Sequence, residues 1–173
     1  IVSLLAAYNT VNSGFQVAIM APTEILARQH FNLCKKIFDN ELNIALISGK
    51  SDNKEKKDIL SKLSKNKIDI IFGTHAIFQK KVIFENLGLI IIDEQHKFGV
   101  NQRKKLSDKG GDNCDILLMT ATPIPRTLTM TIYGDMDLSI IREKPKTRKV
   151  IKTYSKIDEK INDVIRFIKK EIK

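Results

Sequence analysis

Short apolar runs that alternate with amphipathic stretches are the feature that most constrains the fold of this chain. The runs carry Ile, Val and Leu at successive positions, which is typical of strands whose two faces are both buried. We expect strands at residues 16–20, 44–47, 68–72, 89–92 and 116–119. Helical patterns lie near residues 2–13, 23–38, 52–65, 101–108 and 124–133. This alternation predicts an α/β fold with a mainly parallel sheet that is covered by helices on both faces.

The composition narrows the class of protein further. No apolar stretch approaches the ~20 residues that span a bilayer. Ile1 opens a mixed segment without a basic leader, so we expect a cytoplasmic protein with no membrane partner. Thirty Lys and Arg against twenty Asp and Glu give a net charge of +10, which attracts polyanions such as nucleic acid. Much of the excess is Lys in an Ile-, Lys- and Asn-rich sequence, so charge alone leaves nucleic-acid binding open.

The cysteines and histidines give no sign of a metal site. Cys34 and Cys114 are far apart and neither has a CxxC partner, which predicts reduced, buried thiols rather than a disulfide or a zinc site. The three histidines, His30, His75 and His96, also lack the spacing of metal ligands.

The strongest chemical signal follows the expected strand at 89–92. There four apolar residues end in two adjacent carboxylates, Asp93 and Glu94, followed by Gln95 and His96. Burying a carboxylate without a partner is costly, so the pair predicts a cation or water at the strand tip. Because side chains alternate along a strand, one carboxylate can hold Mg²⁺ through water while the other faces an attacking water. Phosphoryl transfer needs both tasks, although an ordinary acidic turn is the alternative at this stage.

Three weaker segments also follow expected strands. In Ala21-Pro22-Thr23-Glu24 the threonine can cap the next helix, whose free N–H groups can hold a phosphate. In Gly73-Thr74-His75 the glycine permits close backbone approach. In Thr120-Ala121-Thr122 two hydroxyls precede a proline-stiffened corner with Arg126. Each segment taken alone is also compatible with an ordinary strand-to-helix turn.

One segment imitates a phosphate-binding P-loop without being one. Gly49-Lys50-Ser51 follows an expected strand and precedes a helix, but the P-loop pattern needs a glycine at position 44, which is Ile44. We therefore expect a helix cap at Ser51 or Asp52 and a solvated lysine-rich face after it. The chain contains no P-loop pattern elsewhere.

The four post-strand segments resemble, in order and spacing, the motifs of superfamily 2 helicases. The segments at 21–24, 73–75, 93–96 and 120–122 are similar to motif Ia, the next DNA-contact motif, motif II of the DExH type and motif III. The longer strings DEQHKFGVNQR at 93–103, MTATPIPRTL at 119–128 and YGDMDLS at 133–139 resemble the RecG family of branched-DNA helicases. The transcription-repair coupling translocases (Mfd) are the nearest alternative, but they typically have Glu-Glu-His where this chain has Glu94-Gln95-His96.

The resemblance implies ATP and Mg²⁺ as cofactors and a role for each matching residue. Asp93 is expected to hold Mg²⁺ through water, and Glu94 to orient and deprotonate the water that attacks the γ-phosphate. Gln95 and His96 are expected to link the nucleotide state to motif III and to the opposite lobe. The residues expected to relay that state toward DNA are Thr120, Thr122 and, in the same coupling region, Arg126. The residues expected to line the DNA side are Pro22, Thr23, Gly73, Thr74 and His75.

The resemblance also implies an organisation and an activity. We expect a RecA-like P-loop NTPase three-layer fold that lacks its P-loop strand, with residues 1–141 as most of the first motor lobe. Residues 142–173 would be the connector and the start of the second lobe. The implied activity is an ATP-dependent helicase, acting as a monomer, that remodels branched or duplex DNA in recombination and repair. The chain by itself is expected to be inactive without a P-loop. A non-catalytic nucleic-acid-binding relic lobe and an Mfd-like translocase stay open as alternatives.

Overall fold

The computed structural model describes residues 1–38, 41–49, 52–94, 114–121, 137–143, 153–155, 157 and 160–172. The chain divides into two compact units, Ile1–Ile124 and Pro125–Lys173. The domain boundary expected at residues 141 and 142 falls inside the second unit, and it stays a prediction. The helices expected near 101–108 and 124–133 lie outside the described residues.

The first unit has the alternating order of strands and helices that the sequence predicts. The elements in chain order are α1 (Val2–Asn12), β1 (Gln16–Met20), α2 (Glu24–Phe38), β2 (Ile44–Ile47), α3 (Asn53–Leu63), β3 (Ile70–Gly73), a 3-10 helix (His75–Phe78), β4 (Leu87–Ile92) and β5 (Asp115–Leu118). The five strands found in the described residues pair in parallel, in the order β2-β3-β1-β4-β5. The expected α/β class with a parallel sheet is therefore confirmed.

Helices cover both faces of this sheet because the strand residues alternate between two apolar clusters. In β1, Val17 and Ile19 pack with Leu4 of α1 and Cys34 of α2. Ala18 and Met20 lie on the opposite face of β1. There they pack with residues of α3 and of the 3-10 helix. Strands β1, β3 and β4 are buried throughout, as their unbroken apolar runs predict.

A buried glutamine fastens the amino ends of the central strands. Gln16 is 1% exposed, and its Nε2 donates to the carbonyls of Leu63 and Ile68, each at 2.9 Å. Its Oε1 accepts from the backbone N–H groups of Glu85 at 2.9 Å and Asn86 at 3.1 Å. All the hydrogen-bonding capacity of the amide is used. This one side chain therefore links β1 to α3, to the residue before β3 and to the residues before β4.

The bounds of three strands differ from the expected ones; β5 runs one residue earlier than expected, and the other two differ for local reasons. The strand expected at 68–72 begins at Ile70. Ile68 is buried in the core, but its carbonyl accepts a hydrogen bond from the Gln16 side chain. Strand β4 begins two residues earlier than expected, at Leu87. Its pairing with β1 slips by one residue at Gly88, and a Cβ atom there would lie 2.6 Å from the Cβ atom of Phe15. Gly88 accommodates both the bulge and the close Phe15 ring, and as a glycine it interrupts the apolar pattern that would have marked the start of the strand.

The second unit contributes one described helix, α4 (Ile161–Glu171). The ring of Phe167 meets that of Tyr154 edge-on at 6.5 Å, and Arg166 pairs with Asp163 at 2.9 Å. Thr153 and Tyr154, which precede this helix, lie outside any strand. Among the described residues, no helix has the length and apolar character needed to cross a membrane.

Candidate functional site at the carboxyl edge of the sheet

Four neighbouring strands, β3, β1, β4 and β5, end level with one another, which brings most of the predicted site to one edge. Met20 at the end of β1 pairs with both Gly73 of β3 and Ile92 of β4. Ile92 in turn pairs with Leu118 of β5. Ligands of open parallel sheets bind outside this edge, where the strands end.

Backbone hydrogen bonds continue past the strand ends and fix the start of each loop. The N–H of Ala21 donates to the carbonyl of Gly73 at 3.0 Å, and the N–H of Asp93 donates to the carbonyl of Met20 at 2.9 Å. The N–H of Met119 donates to the carbonyl of Ile92 at 2.8 Å. The residues that follow are therefore held by the sheet itself.

This edge carries eight of the predicted site residues, and four others cannot be placed. The eight are Pro22, Thr23, Gly73, Thr74, His75, Asp93, Glu94 and Thr120. Gln95, His96, Thr122 and Arg126 lie outside the described residues. The predicted roles of all twelve remain predictions.

Thr23 caps α2, as its position predicts. The backbone N–H of Leu26 donates to Thr23 Oγ1 at 3.3 Å, and the N–H of Ala27 donates to the Thr23 carbonyl at 3.0 Å. Glu24 in the first turn pairs with Arg28 at 3.3 Å. The capping hydroxyl accepts from the helix and can still donate its own proton outward.

Thr74 stands at the equivalent position before the 3-10 helix, but its side chain makes no capping bond. Its carbonyl accepts from the N–H of Ile77 at 3.1 Å, so the backbone alone starts the helix. His75 is exposed. The Thr74 hydroxyl therefore does not cap this helix.

Gly73 is required by packing inside the protein. A Cβ atom on Gly73 would lie 2.8 Å from the carbonyl oxygen of Ile47 and 2.9 Å from Cγ2 of Ile77. The close approach expected of this glycine is therefore made to the end of β2, and this packing accounts for the glycine without any ligand.

Asp93 is partly buried, and both of its carboxylate oxygens are engaged. Its side chain is 21% exposed. Oδ2 lies 2.8 Å from Nε2 of His30 on α2, and Oδ1 accepts from the N–H of Glu94 at 3.0 Å. Each carboxylate oxygen has two lone pairs, so both can still accept from water or approach a cation.

Glu94 has a backbone φ of 52°, in the left-handed region that non-glycine residues seldom adopt. This conformation costs about 1–2 kcal/mol and breaks the strand geometry immediately after Asp93. Glu94 therefore does not continue the strand, and the different directions expected of the two carboxylates stay a prediction. Such strain at a strand tip is typical of functional sites.

His30 is a site residue that the sequence reasoning missed. The signal was present in two patterns. Strand alternation puts Asp93 on the face of β4 that carries Leu89 and Ile91, which is the face covered by α2. In α2, His30 lies three residues after buried Ala27 and four before buried Cys34, on the stripe that faces the sheet. The spacing of the histidines bears only on metal binding and does not reveal the pairing of His30 with Asp93.

Other chemical groups in the described part of the chain form no second centre. Both cysteines are free, but only Cys34 is buried, whereas Cys114 is only partly buried. Burial raises the pKa of Cys34 to about 11; burial, together with the charge of Asp115, raises that of Cys114 to about 11. No group of three or more His, Cys, Asp or Glu residues able to cage a metal occurs among the described residues. A cavity of about 650 Å³ lies beside β2, between α2 and α3, and no predicted site residue lines it.

Comparisons with known proteins agree with this geometry. The sequence model of the DEAD/DEAH box helicase family matches residues 1–131. The chain is 46% identical over 173 residues to the ATP-dependent DNA helicase RecG of Bacillus subtilis strain 168, covering 99% of this chain and 25% of that protein. It is 49% identical over 172 residues to RecG of Streptococcus pneumoniae serotype 4, with coverage of 99% and 25%. The chain thus spans about a quarter of the length of the curated relatives that it matches.

Solved structures give the same result. The structure of RecG bound to a three-way DNA junction matches with a TM-score of 0.82 and 40% identity, over 99% of this chain and 23% of that one. The DEAD box protein of Methanococcus jannaschii matches with a TM-score of 0.54 and 23% identity, over 70% of this chain and 35% of that one, and so supports the fold alone. The expected RecA-like helicase fold is confirmed. With the family model matching most of its length, this chain belongs to the DEAD/DEAH box helicase family.

Proposed function

We propose that this chain forms most of the first motor lobe of an ATP-dependent DNA helicase that remodels branched DNA, as the RecG helicases do. The observation that carries the proposal is the Asp93-Glu94 pair at the tip of β4, on the edge that also carries Thr23, Thr74 and Thr120. Identity of 40–49% to RecG proteins across nearly the whole chain supports this choice over the Mfd-like alternative.

Helicases of this family use ATP, and Asp93 suits a magnesium ion held through water. Mg²⁺ keeps several waters and is usually bound by one or two carboxylates together with substrate phosphates. The lone, partly exposed Asp93 carboxylate, outside any protein cage in the described residues, matches that preference. When bound, the ion would neutralise charge on the phosphates. Asp93 would orient it, because both carboxylate oxygens are fixed by neighbours.

Glu94 is the proposed general base. Its left-handed backbone takes it out of the strand geometry that ends at β4, so the two acids would do different work. Glu94 would accept a proton from the water that attacks the γ-phosphate and would hold that water in line. Gln95 and His96 would pass the nucleotide state to motif III, where Thr120, Thr122 and Arg126 would relay it.

The DNA side would be formed by the two turns that follow β1 and β3. Thr23 and Thr74 bring hydroxyls to the ends of adjacent strands, and Pro22, Gly73 and His75 complete the surface. Hydroxyl and backbone contacts of this kind bind phosphates without reading sequence. Such a surface suits an enzyme that follows the DNA backbone.

The remaining organisation follows the same proposal. Residues 1–141 would belong to the first lobe and residues 142–173 to the connector and the start of the second, in a protein that acts as a monomer. A non-catalytic relic lobe is the less favoured alternative, because a strained, adjacent acidic pair has little use without a metal and a nucleotide.

The proposal is tested with the complete product of the gene that encodes this chain. We expect ATP hydrolysis that three-way and four-way junctions stimulate more than linear duplex does, together with ATP-dependent conversion of a model fork. Junction binding without any hydrolysis would instead support the relic lobe. Hydrolysis that responds equally to linear duplex and to junctions would contradict branched DNA as the substrate.

A further inference from the structure

His30 makes a contact that the roles proposed above do not use. Its Nε2 lies 2.8 Å from Asp93 Oδ2, across 63 residues of sequence, and the two side chains are 27% and 21% exposed. Against an ionised carboxylate, which only accepts, the contact is a hydrogen bond when Nε2 carries the proton. A charge-assisted bond of this length is among the stronger polar contacts in proteins.

This contact completes the restraint of the Asp93 carboxylate. The backbone N–H of Asp93 is bound to Met20, and Oδ1 accepts from the N–H of Glu94. Both of those bonds come from the strand end and its turn. His30 supplies a bond to the second oxygen from a different element, and without it only the bond from the Glu94 N–H to Oδ1 restrains the carboxylate.

Helix α2 connects this restraint of Asp93 to the Thr23 turn, which is proposed to contact DNA. Thr23 caps the first turn of α2, and His30 lies about two turns further along the same helix. The helix has little freedom to slide between these points, because Ala27 and Cys34 on either side of His30 are buried in the core. A displacement of the Thr23 turn therefore reaches the Asp93 carboxylate through one short, packed segment.

We propose that His30 is a positioning residue that orients Asp93 for metal and nucleotide, and that couples its orientation to the DNA-contact turn at the start of α2. This inference rests on the proposed function and deepens it. His30 itself touches neither the reacting atoms nor the metal. Its effect is expected on the metal requirement and on DNA stimulation, beyond any effect on folding.

The test compares variants of the complete gene product that differ at His30. His30→Ala removes the bond and the ring, and His30→Phe keeps a ring but removes the donor. His30→Gln offers an amide N–H in nearly the same place, and exposed Gln29→Ala on the same helix is the matched control. Loss of a group that orients a metal-binding side chain typically costs about 10–100-fold in metal affinity or activity.

We therefore expect the Mg²⁺ concentration for half-maximal hydrolysis to rise about tenfold or more in His30→Ala and His30→Phe. We expect this Mg²⁺ concentration to stay within about threefold of the wild-type value in His30→Gln, because the amide retains a donor. Gln29→Ala should match the wild type, because an exposed change away from His30 leaves the bond intact. The ratio of hydrolysis with a junction to hydrolysis without DNA should fall by about threefold or more in the Ala and Phe variants. Binding of Mn²⁺ in the presence of a non-hydrolysable ATP analogue, followed by electron paramagnetic resonance, should weaken in parallel without any turnover.

The outcomes separate this inference from the function on which it rests. A wild-type protein that does not hydrolyse ATP contradicts the proposed function. An active wild type whose His30→Phe variant keeps the Mg²⁺ requirement, Mn²⁺ affinity and DNA stimulation overturns the role of His30. Equal losses of thermal stability in the Ala, Phe and Gln variants with an unchanged metal requirement would also overturn it, because they would make His30 a core-filling residue only.

Discussion

Replacing Gln16 by leucine should remove a large part of the stability of the sheet. The change keeps the size of the side chain but deletes four hydrogen bonds, of which the two to the Leu63 and Ile68 carbonyls are buried. A buried polar group left without its partner costs about 1–3 kcal/mol, so the two carbonyls together cost roughly 2–6 kcal/mol. The Glu85 and Asn86 N–H groups are only partly buried and can reach water.

The apolar leucine recovers part of this cost, since it is easier to bury than an amide. We expect a net loss of about 2–4 kcal/mol in the free energy of unfolding. That is a large share of the 5–15 kcal/mol that typically holds a domain together. The measurement is urea unfolding of the 173-residue chain, followed by far-UV circular dichroism and extrapolated to water.

Two further variants make the result specific. Gln29→Leu, on the exposed side of α2, should change stability by less than about 0.5 kcal/mol. Gln16→Glu keeps the shape and one acceptor but sets an oxygen against the two carbonyls, so at neutral pH it should lose at least as much as Gln16→Leu. A loss below about 1 kcal/mol in Gln16→Leu would refute the reasoning, since it would mean that the carbonyls find other partners.

Two other predictions concern packing and pH. Gly88→Ala puts a Cβ atom 2.6 Å from Phe15 Cβ, so it should destabilise by about 1–3 kcal/mol in thermal unfolding, whereas Gly49→Ala, with nothing within 4 Å, should be neutral. Equal effects of the two glycine changes would contradict the bulge. Burial raises the pKa of the Cys34 thiol from 9.0 to about 11, so between these values the unfolded chain loses the proton while the folded chain keeps it. The free energy of unfolding should therefore fall as pH rises from 9 to 11. In urea titrations it should fall less steeply for Cys34→Ala than for the wild type over that window; identical slopes would refute the assignment.

The sequence was sufficient to predict most of the fold because its strands are nearly continuous apolar runs. The strand at Gln16–Met20 and the helix at Glu24–Phe38 lie where the periodicity predicts them, the helix to within one residue. The gathering of Thr23, Thr74 and Asp93 at one edge was also predictable, since the carboxyl ends of parallel strands share an edge.

What the sequence did not reveal depends on contacts between residues far apart in the chain. The local patterns place His30 on the buried stripe of α2 and Asp93 on one face of β4, but that α2 covers this face follows only from the tertiary packing. The role of Gln16 is equally hidden, because a polar residue at a strand start is commonplace. Gly88 broke the apolar run and so concealed the first residues of β4, although the glycine belongs to the strand.

The most direct test of the account is the effect of Glu94→Gln on ATP hydrolysis and ATP binding, measured side by side in the complete gene product. The amide keeps the size of the side chain and its half-buried position but cannot accept a proton from the attacking water. We predict hydrolysis reduced by about 10²-fold or more with nucleotide affinity nearly unchanged. Turnover that survives at more than about a tenth of the wild-type rate would contradict the placement of the catalytic base at the tip of β4.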